Sequence, residues 1–300
     1  MLTPENLTDF NSSGFLVIRG LFSDEEINLV ERDLQKRIDE LAAYLKVKFS
    51  DQTISLDSKM MELERNHPGA SLIFIHSNII GSNIFNFWSS KKILDIVELI
   101  LGKDIDGHPF FAVRPKPPEL DLFVVPWHQD SSYLADGARM VPQVTCWVPL
   151  MDANLNNGCM EIAVGEHLNG EKRHVAEEYM ELENVSWYLE IEKSVASKFK
   201  TEICEVKRGD VIMFTHLTPH RSLPNLSKNC RWSIDMRYMQ AGHSPGTSQP
   251  SIAFRRADTG LKEYVENSKN NFQRIQDEKD RNLWRHRINR SVWKDRWKEV

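Results

Sequence analysis

The segment Val125-Pro-Trp-His-Gln-Asp-Ser-Ser-Tyr133 places an imidazole and a carboxylate two residues apart, at His128 and Asp130. It follows the short apolar run Leu122-Phe-Val-Val-Pro126, which predicts an extended strand. Because side chains alternate along a strand, both groups are expected on one face of a sheet, where they can converge on one metal ion. Two ligands do not define a site, so another strand must supply a third ligand.

The chain around this segment has the pattern of a β protein. From about residue 108, short runs rich in Val, Ile, Phe and Trp alternate with turn residues, which is typical of an antiparallel sandwich or barrel. The clearest turns are Asn156-Asn-Gly158 and Arg208-Gly-Asp210. Strands are predicted over residues 110–114, 122–130, 143–150, 159–164, 202–206, 210–216 and 230–239.

Two amphipathic helices are predicted before the β region. Ser23-Asp-Glu-Glu26 is a capping box, and the apolar residues after it recur every three to four positions. A second helix follows Ser89-Ser90 and stops at Gly102. The run Gly14-Phe-Leu-Val-Ile18, just before the first helix, fits a buried strand.

The C-terminal residues combine basic and aromatic side chains: Trp284, Arg285, Arg287, Arg290, Trp293, Lys294, Arg296, Trp297 and Lys298. Such a composition also occurs on nucleic-acid and membrane surfaces. We interpret it as a helix whose tryptophans pack on the β core while its charges face water. We therefore predict one domain over residues 1–300, with a helical part at 1–107, a β core at 108–243 and a helical tail at 255–300.

Composition excludes several classes of partner. The formal net charge of the chain is -5, so no general basic excess exists to neutralise nucleic-acid phosphates. No run of 18 apolar residues predicts a membrane span. The four cysteines form no CxxC pair, and neither a secretory leader nor a peroxisomal Ser-Lys-Leu ending is evident. A cytoplasmic protein that binds a small molecule is expected.

The third ligand has two candidates, His216 and His220. Pro224-Asn-Leu-Ser-Lys-Asn229 is a turn cluster, and a hairpin folded about its centre would place His220 opposite Arg231. Ser222 would share the face of His220. This arrangement favours His220 as the ligand and leaves His216 a structural role.

Two histidines and one carboxylate on one side of an ion form the facial triad of non-haem iron(II) oxygenases, which leaves three coordination positions open. Oxygenases that use 2-oxoglutarate also need a cation for its distal carboxylate. The planar fork of Arg231 suits that task, and the Ser222 hydroxyl can donate one more hydrogen bond. A halogenase keeps a vacant site for chloride where Asp130 stands, so halogenation is not expected.

These residues resemble the motif set of the phytanoyl-CoA dioxygenase family, over roughly residues 7 to 240. One departure is Val164-Gly-Glu-His167, where family members often carry Pro-Gly-Ser-His. The matching motifs are His128-Gln-Asp130, Gly209-Asp210, His220-x-Ser222-x-x-Asn225-x-Ser227-x-x-x-Arg231, Phe10-Asn-Ser-Ser-Gly-Phe-Leu-Val-Ile18, Lys116-Pro-Pro118, Trp147-Val-Pro-Leu-Met-Asp152 and Asn157-Gly-Cys-Met160.

The resemblance implies a mainly β fold with α additions, a cupin-like double-stranded β-helix, or jelly-roll, with N-terminal and C-terminal helices packed on it. It also implies the roles of six residues. The iron ligands would be His128, Asp130 and His220, the 2-oxoglutarate contacts would be Arg231 and Ser222, and Trp147 would lie beside the co-substrate.

The resulting expectation is an iron(II)- and 2-oxoglutarate-dependent dioxygenase that uses O2 and releases succinate and CO2. Its substrate would be a small molecule of natural-product biosynthesis that carries a carboxylate and is hydroxylated, desaturated or oxidatively cyclised. Candidates for the substrate-binding mouth of the cavity are Arg114, Lys116, Gln143, Thr145 and Arg237. The alternative for the arginines is a purely structural role, since buried arginines in β-sandwiches often pair with carboxylates such as Asp235.

Two alternatives remain at this point. One is a jelly-roll that binds a metal as a sensor or binding protein without catalysis, which would have no use for a 2-oxoglutarate anchor at Arg231 and Ser222. The other is a zinc-dependent hydrolase, which needs a general-base carboxylate near the open coordination position. No such additional carboxylate is evident beside His128.

Overall fold

The computed structural model describes residues 3–51, 53–77, 81–120, 123–176, 189–247 and 249–257. Its strands are β1 (Phe15–Ile18), β2 (Ile105–Gly107), β3 (Ala112–Lys116), β4 (Val125–His128), β5 (Gln143–Pro149), β6 (Met160–Ala163), β7 (His174–Ala176), β8 (Leu189–Ile191), β9 (Thr201–Cys204), β10 (Val211–Thr215), β11 (His220–Ser222), β12 (Arg231–Gln240) and β13 (Ile252–Arg255).

The described helices lie mostly in the N-terminal third. They are α1 (Pro4–Ser13), α2 (Asp24–Leu45), α3 (Leu56–Asn66), α4 (Ala70–Ser77), α5 (Ser82–Trp88), α6 (Lys91–Leu101) and the short α7 (Lys193–Ala196). Among them, none is both long and apolar enough to cross a membrane.

Two antiparallel sheets form the centre of the molecule. The large sheet has the order β1-β10-β5-β12-β2-β13, with β3 also paired to β12, and the small sheet has the order β4-β11-β6-β9. Side chains of both sheets line one cavity between them. The structure confirms the mainly β jelly-roll with added helices that the resemblance implied.

The capping box and the buried N-terminal strand are as expected from the sequence. Ser23 caps α2, and its own amide donates to the Glu26 carboxylate at 2.9 Å. β1 adds to the edge of the large sheet by pairing with β10. The main apolar core lies where the helices cover this sheet and includes Trp88, Trp232 and Tyr238, each fully buried.

The strands predicted over residues 110–239 are all present, with ends displaced by at most three residues. One displacement affects the site. Asp130 was expected at the end of a strand, but the strand stops at His128 and Asp130 begins a 3-10 turn, Asp130–Tyr133. The chain leaves the sheet there because the Gln129 amide donates to the His174 ring instead of a neighbouring strand.

The hairpin predicted between His220 and Arg231 is wrong. β11 pairs with β4 and β6 in the small sheet, whereas β12 pairs with β2, β3 and β5 in the large one. The intervening segment carries the chain from one sheet to the other. Asn225 holds this crossing, since its side-chain amide donates both to the Lys116 carbonyl on β3 and to the Asn229 carbonyl.

Several elements lie outside the predicted boundaries. β2 and β13 belong to the large sheet although they flank the predicted β core at 108–243, and α3, α4 and α5 lie between the two predicted helices. Arg255 ends β13, so the tail predicted as helical from residue 255 starts within a strand. Residues 258–300, with the basic tryptophan-rich cluster, lie outside the described residues.

Candidate active site

Three side chains suited to ligate a metal meet between the two sheets. His128, Asp130 and His220 are buried, and one ligand atom of each lies within 4.8 Å of the others. His128 and His220 are direct partners on the adjacent strands β4 and β11. Oδ1 of Asp130 lies 3.8 Å from Nε2 of His128 and 3.9 Å from Nε2 of His220.

Backbone carbonyls orient both imidazoles. Nδ1 of His128 donates to the Pro126 carbonyl, and Nδ1 of His220 donates to the Thr218 carbonyl, each at 2.9 Å. The proton therefore resides on Nδ1, and the Nε2 lone pairs are left for a metal. Burial lowers the pKa of both histidines, so both rings are neutral at pH 7, the form that binds metals.

Both oxygens of Asp130 are held by hydrogen bonds. Oδ1 accepts from Nη2 of Arg237 at 2.8 Å, and Oδ2 accepts from Oγ1 of Thr145 at 2.8 Å. Burial raises the pKa of Asp130, but Arg237 and the two imidazoles together outweigh burial and hold this pKa below its usual range. The carboxylate is therefore ionised at neutral pH.

This donor set fits a non-haem iron(II) centre. Two neutral imidazoles and one carboxylate on one side of an ion match the facial triad, with open positions for other ligands. A structural zinc site would instead need four protein ligands. Within the described residues, the three side chains form the single cluster of at least three such groups, so no fourth ligand joins them.

A second polar group lines the same cavity. Arg231 donates to the Ser233 hydroxyl at 2.6 Å, to the Gly158 carbonyl at 3.1 Å and to the Ser222 hydroxyl at 3.3 Å. Lys116 donates to the same Ser222 oxygen at 2.6 Å. Among the described residues, neither cation forms a salt bridge with a carboxylate, although both are buried.

Burial and the neighbouring arginines disfavour the charged form of Lys116. Burial, with Arg231 and Arg114 nearby, lowers the pKa of Lys116 to about 6, and burial lowers the pKa of Arg231 to about 10. Nε of Arg231 is buried without a hydrogen-bond partner in the described part of the chain. The Trp147 ring packs 5.2 Å from the guanidinium. This part of the cavity is therefore suited to a bound anion.

The cavity joins the two groups. It has about 580 Å³ of empty space, including its open mouth, and both triad imidazoles, Ser222, Lys116 and Arg231 contribute to its lining. The other lining side chains are mainly apolar and include Ile75, Phe123, Val125, Met160 and Phe214.

The five side chains expected at the cavity mouth have different positions. Thr145 and Arg237 bind Asp130, and Lys116 lies beside Ser222. Gln143 donates to the Ala138 carbonyl at 3.4 Å and is not among the lining residues. Arg114 shares the cavity lining with Lys116, Thr145 and Arg237, and a substrate role stays a prediction for each. Arg114 is half-buried and donates from Nε to Oδ2 of Asp235 at 2.6 Å.

Asp235 was expected only as a partner for an arginine, but it also lines the cavity. Its second oxygen, Oδ1, is buried and has no hydrogen-bond partner among the described residues. The alternation Arg231, Ser233, Asp235, Arg237 along β12 is the signal that identifies this face. A strand with polar residues at every second position, three of the four charged, indicates a functional surface in an otherwise apolar sheet.

A jelly-roll with a His-Asp-His triad and a buried cationic pocket defines the class of non-haem iron oxygenases. Sequence comparison agrees, because the model of the phytanoyl-CoA dioxygenase (PhyH) family matches residues 10–233. The chain belongs to this family and is an oxidoreductase of the iron(II)- and 2-oxoglutarate-dependent class, for which O2 is the co-substrate.

Curated relatives are similar over most of their length. A phytanoyl-CoA dioxygenase domain-containing protein 1 homolog from Dictyostelium discoideum is 25% identical, with 80% of this chain and 92% of that protein covered. A 1-deoxypentalenic acid 11-beta-hydroxylase from Streptomyces exfoliatus is 23% identical, with 79% and 81% covered.

Solved structures share the fold at lower identity. The non-heme monooxygenase ThoJ superposes with a TM-score of 0.59 at 19% identity, over 93% of this chain and 99% of ThoJ. EvdO2 from Micromonospora carbonacea, solved with 2-oxoglutarate, gives a TM-score of 0.52 at 15% identity, over 88% and 97% of the two chains.

Proposed function

We propose that His128, Asp130 and His220 hold iron(II), and that Arg231, Lys116 and Ser222 hold the distal carboxylate of 2-oxoglutarate. The observation that carries this proposal is that one cavity is lined both by the two imidazoles of the triad and by a pair of buried basic side chains, Arg231 and Lys116. Within the described residues, neither of these basic side chains forms a salt bridge with a carboxylate. A protein that merely binds a metal has no need for the second group.

The chemistry that bound iron supplies is the activation of O2, with oxidation of 2-oxoglutarate to succinate and CO2. The residues of the chain prepare the ligands for it. The Pro126 and Thr218 carbonyls keep the imidazole protons away from the metal position, while Arg237 and Thr145 fix the carboxylate of Asp130. Trp147 and Phe214 line the cavity and exclude water around the reacting groups.

We further propose that the substrate is a small molecule with a carboxylate and that hydroxylation is the outcome. The cavity lining contains three arginines, one lysine and a single carboxylate, that of Asp235. Arg114 is the cation nearest to solvent, at 32% side-chain exposure, and is suited to receive an anionic group. The Streptomyces relative is named as the hydroxylase of a carboxylic acid, which supports a role in natural-product biosynthesis.

The unpartnered Oδ1 of Asp235 adds a second feature of the substrate. A buried carboxylate oxygen is stabilised by a hydrogen-bond donor, so a hydroxyl or amine group of the substrate is expected there. A reducing location such as the cytoplasm is part of the proposal, and the four cysteines, which are all free thiols, support it.

Turnover of 2-oxoglutarate tests the proposal. The protein loaded with iron(II) in air should form succinate, slowly without substrate and faster with a suitable acid. Asp130→Ala should abolish succinate formation because it removes one of three ligands. Asp136→Ala is the matched control, since that carboxylate is 97% exposed in the turn that follows and should leave turnover intact. Equal turnover in both variants would assign the ligand to another carboxylate.

A further inference from the structure

Arg237 connects the candidate ligand Asp130 to the interior of the cavity. It lies on β12, six residues after Arg231, and its Nη2 donates to Oδ1 of Asp130. That oxygen is the one that faces both imidazoles. Arg237 is buried and lines the cavity, and within the described residues Asp130 is its single salt-bridge partner.

Asp130 depends on such a partner for its orientation. It begins a turn instead of lying within a strand, and the terminal torsion of an aspartate side chain is broad and roughly two-fold. Arg237 binds one oxygen and Thr145, its direct neighbour across β5 and β12, binds the other. The pair therefore holds Oδ1 towards the imidazoles.

A guanidinium beside a divalent metal is unfavourable unless an anion compensates it, because both carry positive charge. Asp130 alone compensates one charge. A second anion bound at the open positions of the metal would compensate another and would lie next to Arg237. Nε of Arg237 is buried and has no hydrogen-bond partner in the described part of the chain, so one donor remains available for that anion.

We infer that Arg237 binds the metal-chelating C1 carboxylate of the 2-oxo acid, while Arg231 and Lys116 bind the distal carboxylate. This inference rests on the proposed function. It assigns the two carboxylates of 2-oxoglutarate to two arginines, Arg231 and Arg237, which lie six residues apart on β12. Arg237 thus has two tasks: it positions Asp130 through Nη2 and contacts the co-substrate through its remaining donors.

Two probes separate the ends of the co-substrate. 2-Oxoglutarate has both carboxylates, whereas 2-oxobutyrate keeps the C1 carboxylate and the keto group but lacks the distal carboxylate. Their dissociation constants are measured anaerobically by calorimetry on protein saturated with Mn(II), and metal occupancy is checked by electron paramagnetic resonance. Wild type should bind 2-oxoglutarate more tightly than 2-oxobutyrate.

Arg237→Met should weaken both probes by the same factor, about 10- to 100-fold, which is the usual worth of a hydrogen bond to a charged group. The ratio of their affinities should stay at the wild-type value. Arg231→Met is the control for the distal carboxylate. It should weaken the binding of 2-oxoglutarate alone and so bring its affinity closer to that of 2-oxobutyrate. Arg237→Lys keeps a charge beside Asp130 but has one donor site, so it should fold and still weaken both probes.

Three results would overturn the inference. Unchanged binding of both probes to Mn(II)-saturated Arg237→Met and Arg237→Lys would remove Arg237 from the co-substrate. A loss confined to 2-oxoglutarate would place Arg237 at the distal end. A loss of Mn(II) binding with normal probe binding at saturating metal would leave Arg237 as a positioning residue for Asp130 only. Failure of the proposed function is distinct, since wild type would then bind neither probe.

Discussion

Binding of 2-oxoglutarate to the metal-loaded protein should take up most of one proton at pH 7. The reason is Lys116. Burial and the neighbouring Arg231 and Arg114 lower the pKa of this side chain to about 6. At pH 7 about 10% of this side chain is protonated. A carboxylate bound beside it favours the charged form, and opposite charges at such distances shift a pKa by about 1–3 units.

The magnitude follows from these values. A rise of the Lys116 pKa from about 6 to about 8 leaves about 90% of the side chain protonated at pH 7, so about 0.8 proton is taken up per ligand. The pKa is raised on binding, so affinity is greatest below pH 6 and falls as pH rises. Between pH 6 and 8 the affinity should fall by about fivefold per pH unit. The triad histidines add little because both are already neutral at pH 7.

Calorimetry in two buffers measures this uptake. The observed enthalpy of 2-oxoglutarate binding to Mn(II)-saturated, anaerobic protein should depend on the ionisation enthalpy of the buffer, phosphate compared with Tris, with a slope of about 0.8 proton. Lys116→Met should bind more weakly and show no buffer dependence. The absence of buffer dependence in wild type, or the release of protons, would refute the assignment of Lys116 to the anion site.

Three further predictions concern the anchor, the metal and the fold. Arg231→Leu should weaken 2-oxoglutarate binding by about 10- to 100-fold and spare Mn(II) binding, because Arg231 contacts none of the three metal ligands. The control is Arg221→Leu, which should change neither binding constant, because Arg221 is half-exposed and pairs with Glu161 on the small sheet. His220→Ala should abolish tight Mn(II) binding without lowering the melting temperature by more than a few degrees, and retained Mn(II) affinity would point to His216 instead. Gly209→Ala should lower the free energy of unfolding by at least about 1 kcal/mol, because Gly209 has a φ of 84° and an added Cβ would lie 2.2 Å from the Phe22 carbonyl oxygen. The control in thermal melts is Gly137→Ala, since no atom lies within 4 Å of the Cβ added there.

Local patterns carry most of what the sequence predicts correctly. Period-two alternation and turn residues locate the strands of the β region, and the capping box at Ser23 locates the start of α2. His128, Asp130 and His220 are brought together as expected, but for a partly different reason. Asp130 reaches the imidazoles from a turn held by Arg237 and Thr145, which no alternation rule predicts.

Contacts between distant segments account for what the sequence does not predict. The turn cluster after His220 suggests a local hairpin between β11 and β12. Instead β12 pairs with β5, which lies far from it in the sequence. The position of Lys116 beside Ser222 depends on β3 lying next to β12, so its grouping with Arg231 is visible only in the folded chain. The sequence likewise does not show that Arg114 Nε donates to Oδ2 of Asp235, while Oδ1 has no hydrogen-bond partner among the described residues.

In the proposed function, one cavity holds iron and 2-oxoglutarate at the same time, through the triad and the Arg231 pocket. An anaerobic titration that follows visible absorption tests this most directly. Iron(II) and 2-oxoglutarate together should give the weak metal-to-ligand charge-transfer band of a chelated 2-oxo acid, saturating at one equivalent of each per chain, and neither component alone should give it. Absence of the band, or an undiminished band in Asp130→Ala, would show that the triad does not bind iron together with 2-oxoglutarate.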